Sequence, residues 1–162
     1  MAGAANDPAG VQSDHPLKAL KCSREVGMEA KPTILITIVD DDRSVREALT
    51  GLIRSLGYRA VAFERAEDLL RSGGPDCIAC LIADVQMPSM SGVQLYQALV
   101  VAGRHVPTIL ITAYPDEPMR ERAKQAGVAC YLAKPFSEDE LLGCLRSILG
   151  DGEDEDHATP PP

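Results

Sequence analysis

Residues 34–49 read ILITIVDDDRSVREAL, and this stretch decides the fold. An aliphatic, β-branched run ends at Val39, Asp40, Asp41 and Asp42 follow without a spacer, and a helical pattern begins at once. The run has the length and composition of a strand over 33–39. Its apolar character is continuous rather than alternating, as in a parallel strand covered on both faces. Over 43–57 the apolar residues Val45, Leu49, Leu52, Ile53 and Leu56 recur at helical spacing, and Gly57 closes the helix. One βα unit is thus written out, with three acids at the mouth of its strand.

The same rhythm repeats. Strands are predicted over 58–63, 77–83, 107–112 and 128–133, and helices over 66–73, 92–103, 117–127 and 137–150. In the third helix Val93, Tyr96, Leu99 and Val100 share a face. In the last, Ser137 and Glu140 form a capping box ahead of a stripe of Leu141, Leu145 and Ile148. Five βα units imply a parallel sheet with helices on both faces, and right-handed crossovers make it an open, doubly wound α/β sheet. A closed barrel of eight units needs far more chain. The continuous apolar runs of the first, third and fourth strands place them centrally.

At 162 residues the chain suits one domain with tails, and with no Trp and few aromatic residues its core must be aliphatic. Residues 1–31 are charge-balanced and aperiodic and read as a disordered leader, in which 17–26 could form a transient helical turn. Residues 150–162 are acidic, then proline-rich, and read as a disordered tail. The net charge of -8 is therefore unevenly spread: 32–150 hold fifteen acids and twelve bases. Such a body is poorly suited to neutralising phosphates, which speaks against direct nucleic-acid binding. Neither a membrane-length apolar run nor a signal peptide is present. The five cysteines are expected to be reduced thiols, and the C-x-x-C of Cys77 and Cys80 to be two small core-filling residues.

Open α/β sheets bind ligands beyond the carboxyl ends of their strands. Those ends deliver Asp40, Asp41 and Asp42 from the first strand, Asp84 from the third, Thr112 from the fourth and Lys134 after the fifth. Two carboxylates about 4 Å apart repel by about 4 kcal/mol at an effective dielectric of 20, so clustered acids must protonate, turn away or share a cation. A hard divalent ion such as Mg²⁺ suits oxygen ligands. A cation, an ammonium and a hydroxyl together cradle a phosphoryl group. The chain has no P-loop, no G-x-G-x-x-G and no Ser/His/Asp set, which leaves a carboxylate as the nucleophile of an aspartyl-phosphate. Taken singly, each residue has a plainer reading: Thr112 as a β-branched strand residue, Lys134 as a solvated charge, Asp84 as a turn acid. Only their joint position argues for chemistry. Asp42 is assigned to capping the first helix rather than to metal binding. His15, His105 and His157 are isolated and form no metal or phosphodonor site.

The motifs IVDDD (38–42), LIADVQMPSMSG (81–92), ILITAY (109–114) and YLAKPF (131–136) resemble those of the receiver domain of bacterial two-component response regulators. Their separations also fit that family: 43 residues from Asp41 to Asp84, 28 to Thr112 and 22 to Lys134. The acceptor-loop region is most similar to receivers of the nitrogen-fixation and nodulation regulator type. The resemblance spans 33–149 and implies a flavodoxin-like (βα)5 fold over 32–149, with strand order 2-1-3-4-5. Carried over by position, it implies Asp84 as phosphoacceptor and Asp40, Asp41, Asp84 and the backbone carbonyl of Gln86 as the Mg²⁺ site. Thr112, Ala113 and Lys134 then bind the phosphoryl group, Thr112 and Tyr131 act as the switch, and the bond before Pro135 is cis. Gln86 and Tyr114 occupy positions that tune the phosphoryl lifetime in relatives.

The expected function is that of a cytoplasmic, stand-alone response regulator, a signalling domain that catalyses only its own phosphorylation and dephosphorylation. A sensor histidine kinase or histidine phosphotransferase supplies or receives the phosphoryl group. An unknown output protein or a phosphorylation-dependent homodimer receives the signal from the face of helix 4, strand 5 and helix 5. Three rivals are weighed. A Mg²⁺-dependent aspartate-nucleophile phosphohydrolase usually carries two acids on one D-x-D strand end plus a cap domain, and here the nucleophile stands alone. A non-phosphorylated pseudo-receiver would lack an acid, the Thr or the Lys. A receiver fragment of a longer DNA-binding regulator is opposed only by the acidic, proline-rich ending.

Overall fold

The apolar run at 34–39 folds as β1 (Leu35–Val39), every residue of it buried, and the helical pattern after it as α1 (Arg43–Ser55). Four more βα units follow: β2 (Arg59–Phe63) and α2 (Ala66–Arg71), β3 (Ile78–Asp84) and α3 (Gly92–Val101), β4 (Thr108–Thr112) and α4 (Glu117–Ala126), β5 (Cys130–Ala133) and α5 (Glu138–Leu149). All pairings are parallel, in the order β2-β1-β3-β4-β5. The open, doubly wound α/β sheet read from the sequence is the fold observed, in a computed structural model that describes residues 34–73 and 77–150. The expected leader, with the transient turn considered at 17–26, and the expected tail beyond Gly150 lie outside the described residues.

The period-two alternation of the central strands splits the core into two layers. Ile36, Ile38, Cys80, Ile82, Ile109 and Ile111 face Leu49 and Ile53 of α1 and Leu141 and Leu145 of α5. Val39, Leu81, Ala83 and Leu110 pack in a second cluster with Leu69, Leu95, Leu99 and Ala123, from α2, α3 and α4. Because β1, β3 and β4 are covered on both faces, they carry no polar alternation. Edge strand β2 is less covered, with Arg59 and Ala62 exposed, Val61 half-buried and Ala60 and Phe63 buried, so the alternation expected for it is not strict. Ser137 and Glu140 close the expected capping box on α5, and Ser91 with Gln94 closes a second one on α3.

One expectation is corrected. Cys80 is fully buried and free, as a core-filling residue should be. Cys77, however, is disulfide-bonded. It precedes β3 at a half-buried position. The C-x-x-C therefore does not close on itself, and the cysteines are not all reduced.

Candidate functional site

Parallel pairing carries the ends of four strands to one edge. Val39 of β1 lies beside Ala83 of β3, Asp84 beside Ile111 of β4, and Thr112 beside Ala133 of β5. Backbone bonds continue just past the strands: Asp40 N–H donates to the Phe63 carbonyl at 3.2 Å, Val85 N–H to Ile111 at 2.8 Å, and Lys134 N–H to Thr112 at 2.7 Å. Asp40, Asp84, Thr112 and Lys134 thus reach the same place from different strands.

There, one carboxylate oxygen from each of Asp40, Asp41 and Asp84 lies within 4.8 Å of the other two. Asp40 is completely buried and Asp84 nearly so, while Asp41 is exposed at the mouth. The Lys134 ammonium bridges the two buried acids, 3.1 Å from Asp40 Oδ2 and 3.2 Å from Asp84 Oδ2. The other oxygen of each accepts a backbone N–H: Asp42 N–H to Asp40 Oδ1 at 2.8 Å, and Gln86 N–H to Asp84 Oδ1 at 3.1 Å.

Burial raises the Asp40 carboxyl above the ordinary aspartate value, aided by the Asp84 charge and only partly opposed by the Asp42 N–H and Lys134. Burial alone would lower Lys134, but its bonds and charge pairing with Asp40 and Asp84 outweigh that and hold it above the ordinary lysine value. The ammonium therefore stays charged between two acids. Three carboxylates face a single ammonium, and all the donors are hard oxygens. This set could hold a divalent cation and suits one that takes carboxylates and waters.

The neighbouring residues divide into those that support the acids and those that line the edge. Asp42 is the N-cap of α1, its Oδ1 accepting from Ser44 N–H at 2.8 Å and Val45 N–H at 3.3 Å, and it stands outside the acidic trio. Thr112 is fully buried, and its Oγ1 accepts from Tyr114 N–H at 3.1 Å. Ala113 and Gln86 are exposed. The Lys134–Pro135 peptide bond is cis. Tyr131 is half-buried against the α4 layer, and its hydroxyl is buried with no hydrogen-bond partner among the described residues.

Sequence reasoning missed two supports. Arg46, on the second turn of α1, donates through its guanidinium to the carbonyls of Asp40 (2.8 Å) and Asp41 (3.2 Å), pinning the acidic turn from behind. The only available signal was a cation one helical turn into a helix that starts at the acids. Gly92 opens α3 directly against β3: a Cβ there would lie 2.4 Å from the Asp84 carbonyl oxygen and 3.0 Å from Leu110 Cδ2. Its position at the start of a capped helix was the hint.

The family model for the response regulator receiver domain matches residues 36–146. The chain is 43% identical over 115 residues to response regulator protein TmoT of Ectopseudomonas mendocina, covering 71% of this chain and 52% of that protein. It is 41% identical over 117 residues to nodulation protein W of Bradyrhizobium diazoefficiens, covering 72% of this chain and 52% of that protein. Among solved structures, response regulator StyR superposes with a TM-score of 0.67 at 38% identity, covering 72% of this chain and 59% of that one. The chain thus spans about half the length of the curated relatives it matches. Among the described residues, no helix is long and apolar enough to cross a membrane.

Proposed function

This chain belongs to the response regulator receiver domain family, and from that premise we propose that it accepts a phosphoryl group on Asp84, with Mg²⁺, from a sensor histidine kinase or histidine phosphotransferase. The observation that carries the reading is the trio of acids within 4.8 Å, two of them bridged by Lys134, at the carboxyl edge of a parallel sheet.

In the proposed step a carboxylate oxygen of Asp84 forms a bond to phosphorus as the bond from phosphorus to the donor's imidazole nitrogen breaks, and that imidazole regains a proton from water. Lys134, already against Asp84 Oδ2, exchanges part of its carboxylate contact for a phosphoryl oxygen. Thr112, at the end of the next strand, offers its hydroxyl to another. Ala113 has no side chain beyond Cβ to obstruct the incoming group. Gln86 N–H fixes Asp84 Oδ1 and so orients the nucleophile. Asp40, Asp41, Asp84 and the Gln86 carbonyl would hold Mg²⁺, which would offset the charge that the acids share with the phosphoryl oxygens.

The switch is assigned to Thr112 and Tyr131. A buried hydroxyl without a hydrogen bond costs about 1–3 kcal/mol, so the observed setting of Tyr131 is under tension that a second rotamer would relieve. Drawing Thr112 toward a phosphoryl group would shift that balance, and the face of α4, β5 and α5 would report it. The receiver's output then passes to an unidentified protein or to a second copy of this chain, in the cytoplasm, without direct contact between this body and nucleic acid. The domain's catalysis is confined to its own phosphorylation and dephosphorylation.

Incubation with acetyl phosphate and Mg²⁺, followed by intact mass, tests the reading. One phosphoryl adduct is expected with Mg²⁺ and none with excess chelator. No adduct under any donor or metal condition would sink it.

A further inference from the structure

Helix α4 is loosely seated at one end and fastened at the other. Of its ten residues only Ala123 is buried, and its N-cap, Asp116, makes no capping bond through its side chain among the described residues. Grooves run along both flanks. One of about 560 Å³ lies between Met119, Arg122 and Gln125 of α4 and Val93, Gln94 and Gln97 of α3. Another, of about 520 Å³, lies between Glu117, Arg120 and Lys124 of α4, Tyr131 of β5 and Cys144 of α5. The C-terminal end is different. Gly127 closes α4 in the left-handed region, at a φ of 100°, and Val128 N–H turns back to the Ala123 carbonyl at 3.0 Å. Tyr96, from the middle of α3, donates its hydroxyl to the Ala126 carbonyl at 3.1 Å, one of the last-turn acceptors that a helix leaves without a partner of its own. A Cβ on residue 127 would lie 2.8 Å from that hydroxyl oxygen, so glycine is required there for the reach of the tyrosine as well as for the backbone. Packing accounts for the buried Tyr96 ring, which a phenylalanine would fill equally well. It does not account for a hydroxyl seated on the end of a neighbouring helix.

We propose that Tyr96 is a positioning residue for the switch: its hydroxyl, together with Gly127, pins the C-terminal end of α4 to α3, so that the helix answers the phosphoryl site by swinging its N-terminal end. The link at that end is short. Thr112 Oγ1 holds Tyr114 N–H at 3.1 Å, and α4 begins at Glu117, so movement of the threonine hydroxyl pulls on the segment that leads into the unfastened end. A ten-residue helix is about 15 Å long. A tilt of about 10° about a fixed C-terminus moves its first turn by about 2.5 Å and its last turn hardly at all. The grooves on both flanks leave room for a swing of that size. Tyr96 acts through α4 and not on the reacting atoms. The swing rests on the proposed phosphorylation of Asp84; the pin does not.

The test reads amide exchange and chemical shifts of the whole chain by nuclear magnetic resonance. In Tyr96→Phe the ring stays and the bond goes. The Gly127 and Val128 amides should then exchange about fivefold faster, the equivalent of one ordinary hydrogen bond, while those of Arg120 and Glu121 hold their rates. No change at Gly127 and Val128, or an even rise across α4, would overturn the pin. Gly127→Ala should reproduce the rise, and should add less in the Tyr96→Phe background than alone; strictly additive effects would separate the two residues and overturn their joint role. The swing is read after acetyl phosphate and Mg²⁺, with a single adduct verified by intact mass. In the native chain shifts should change over 117–121 and hold over 126–128, whereas in Tyr96→Phe both ends should change. Equal change at both ends of the native helix would overturn the swing. A sample that gains no adduct counts against phosphorylation of Asp84, and the exchange rates of the two variants then decide the pin by themselves.

Discussion

Replacing Lys134 with Met keeps most of the apolar stem and deletes only the ammonium. In the native protein that ammonium is 3.1 Å from Asp40 and 3.2 Å from Asp84, with a side chain one-fifth exposed against partners that are almost wholly buried. Each attraction is about 5 kcal/mol at an effective dielectric of 20, before the desolvation of all three groups is subtracted. Removing one partner of a buried pair costs about 3–5 kcal/mol, because the charge left behind is uncompensated. Lys134 retains some contact with water, so the lower end, about 3 kcal/mol, is the expected loss. With a urea slope of about 1.5 kcal/mol per molar, the midpoint should fall by about 2 M. The assay is urea unfolding followed by circular dichroism at neutral pH in chelator. The pH dependence has a fixed sign. Lys134 is held above the ordinary lysine value, so its stabilisation is complete below 10.5 and is lost as pH rises through the higher folded value. At the acid end the loss in Lys134→Met should shrink as Asp40 protonates, which begins above 3.8 because burial raises that carboxyl. Mg²⁺ should also stabilise the variant more than the native chain, since a cation then faces three uncompensated acids. A neutral-pH, metal-free midpoint equal to or above the native one would refute this electrostatic account.

Three further substitutions separate the roles of neighbouring residues. Asp41→Asn removes an exposed acid within 4.8 Å of two others; metal-free stability should rise by about 1 kcal/mol while Mg²⁺ affinity falls, read by urea unfolding and calorimetric titration. Asp42→Ala should cost about 1 kcal/mol from the lost α1 cap and leave Mg²⁺ affinity unchanged in the same titration. Gly92→Ala drives a Cβ into the Asp84 carbonyl and should cost about 2 kcal/mol in urea, with a slower phosphorylation rate from acetyl phosphate.

What could be read from the sequence was whatever is local or periodic. The buried strands announced themselves as unbroken aliphatic runs, and the helices by the spacing of residues such as Leu49, Ile53, Leu141 and Leu145. Asp42 was assigned to the α1 cap because a helix began immediately after it. The convergence of Asp40, Asp84, Thr112 and Lys134 followed from one topological rule about strand ends. The remainder depends on contacts between distant segments. Leu95 is fully buried although the expected face of α3 omitted it: the buried stripe is Gly92, Leu95, Tyr96 and Leu99, which shares helical spacing with the expected one but is rotated toward Leu95. Arg46 matters through backbone carbonyls, which leave no side-chain pattern. Gly92 matters through a close approach to another strand. The disulfide at Cys77 likewise does not close within its C-x-x-C, whose Cys80 is free.

The central claim is that Asp84, and neither Asp40 nor Asp41, carries the phosphoryl group. Borohydride reduces an acyl phosphate but not a free carboxylate, turning the modified aspartate into homoserine. After incubation with acetyl phosphate and Mg²⁺, reduction and proteolysis, the account expects homoserine at residue 84 alone, and no homoserine in Asp84→Asn. Homoserine at residue 40 or 41 in the native chain, or an adduct that resists borohydride, would contradict it.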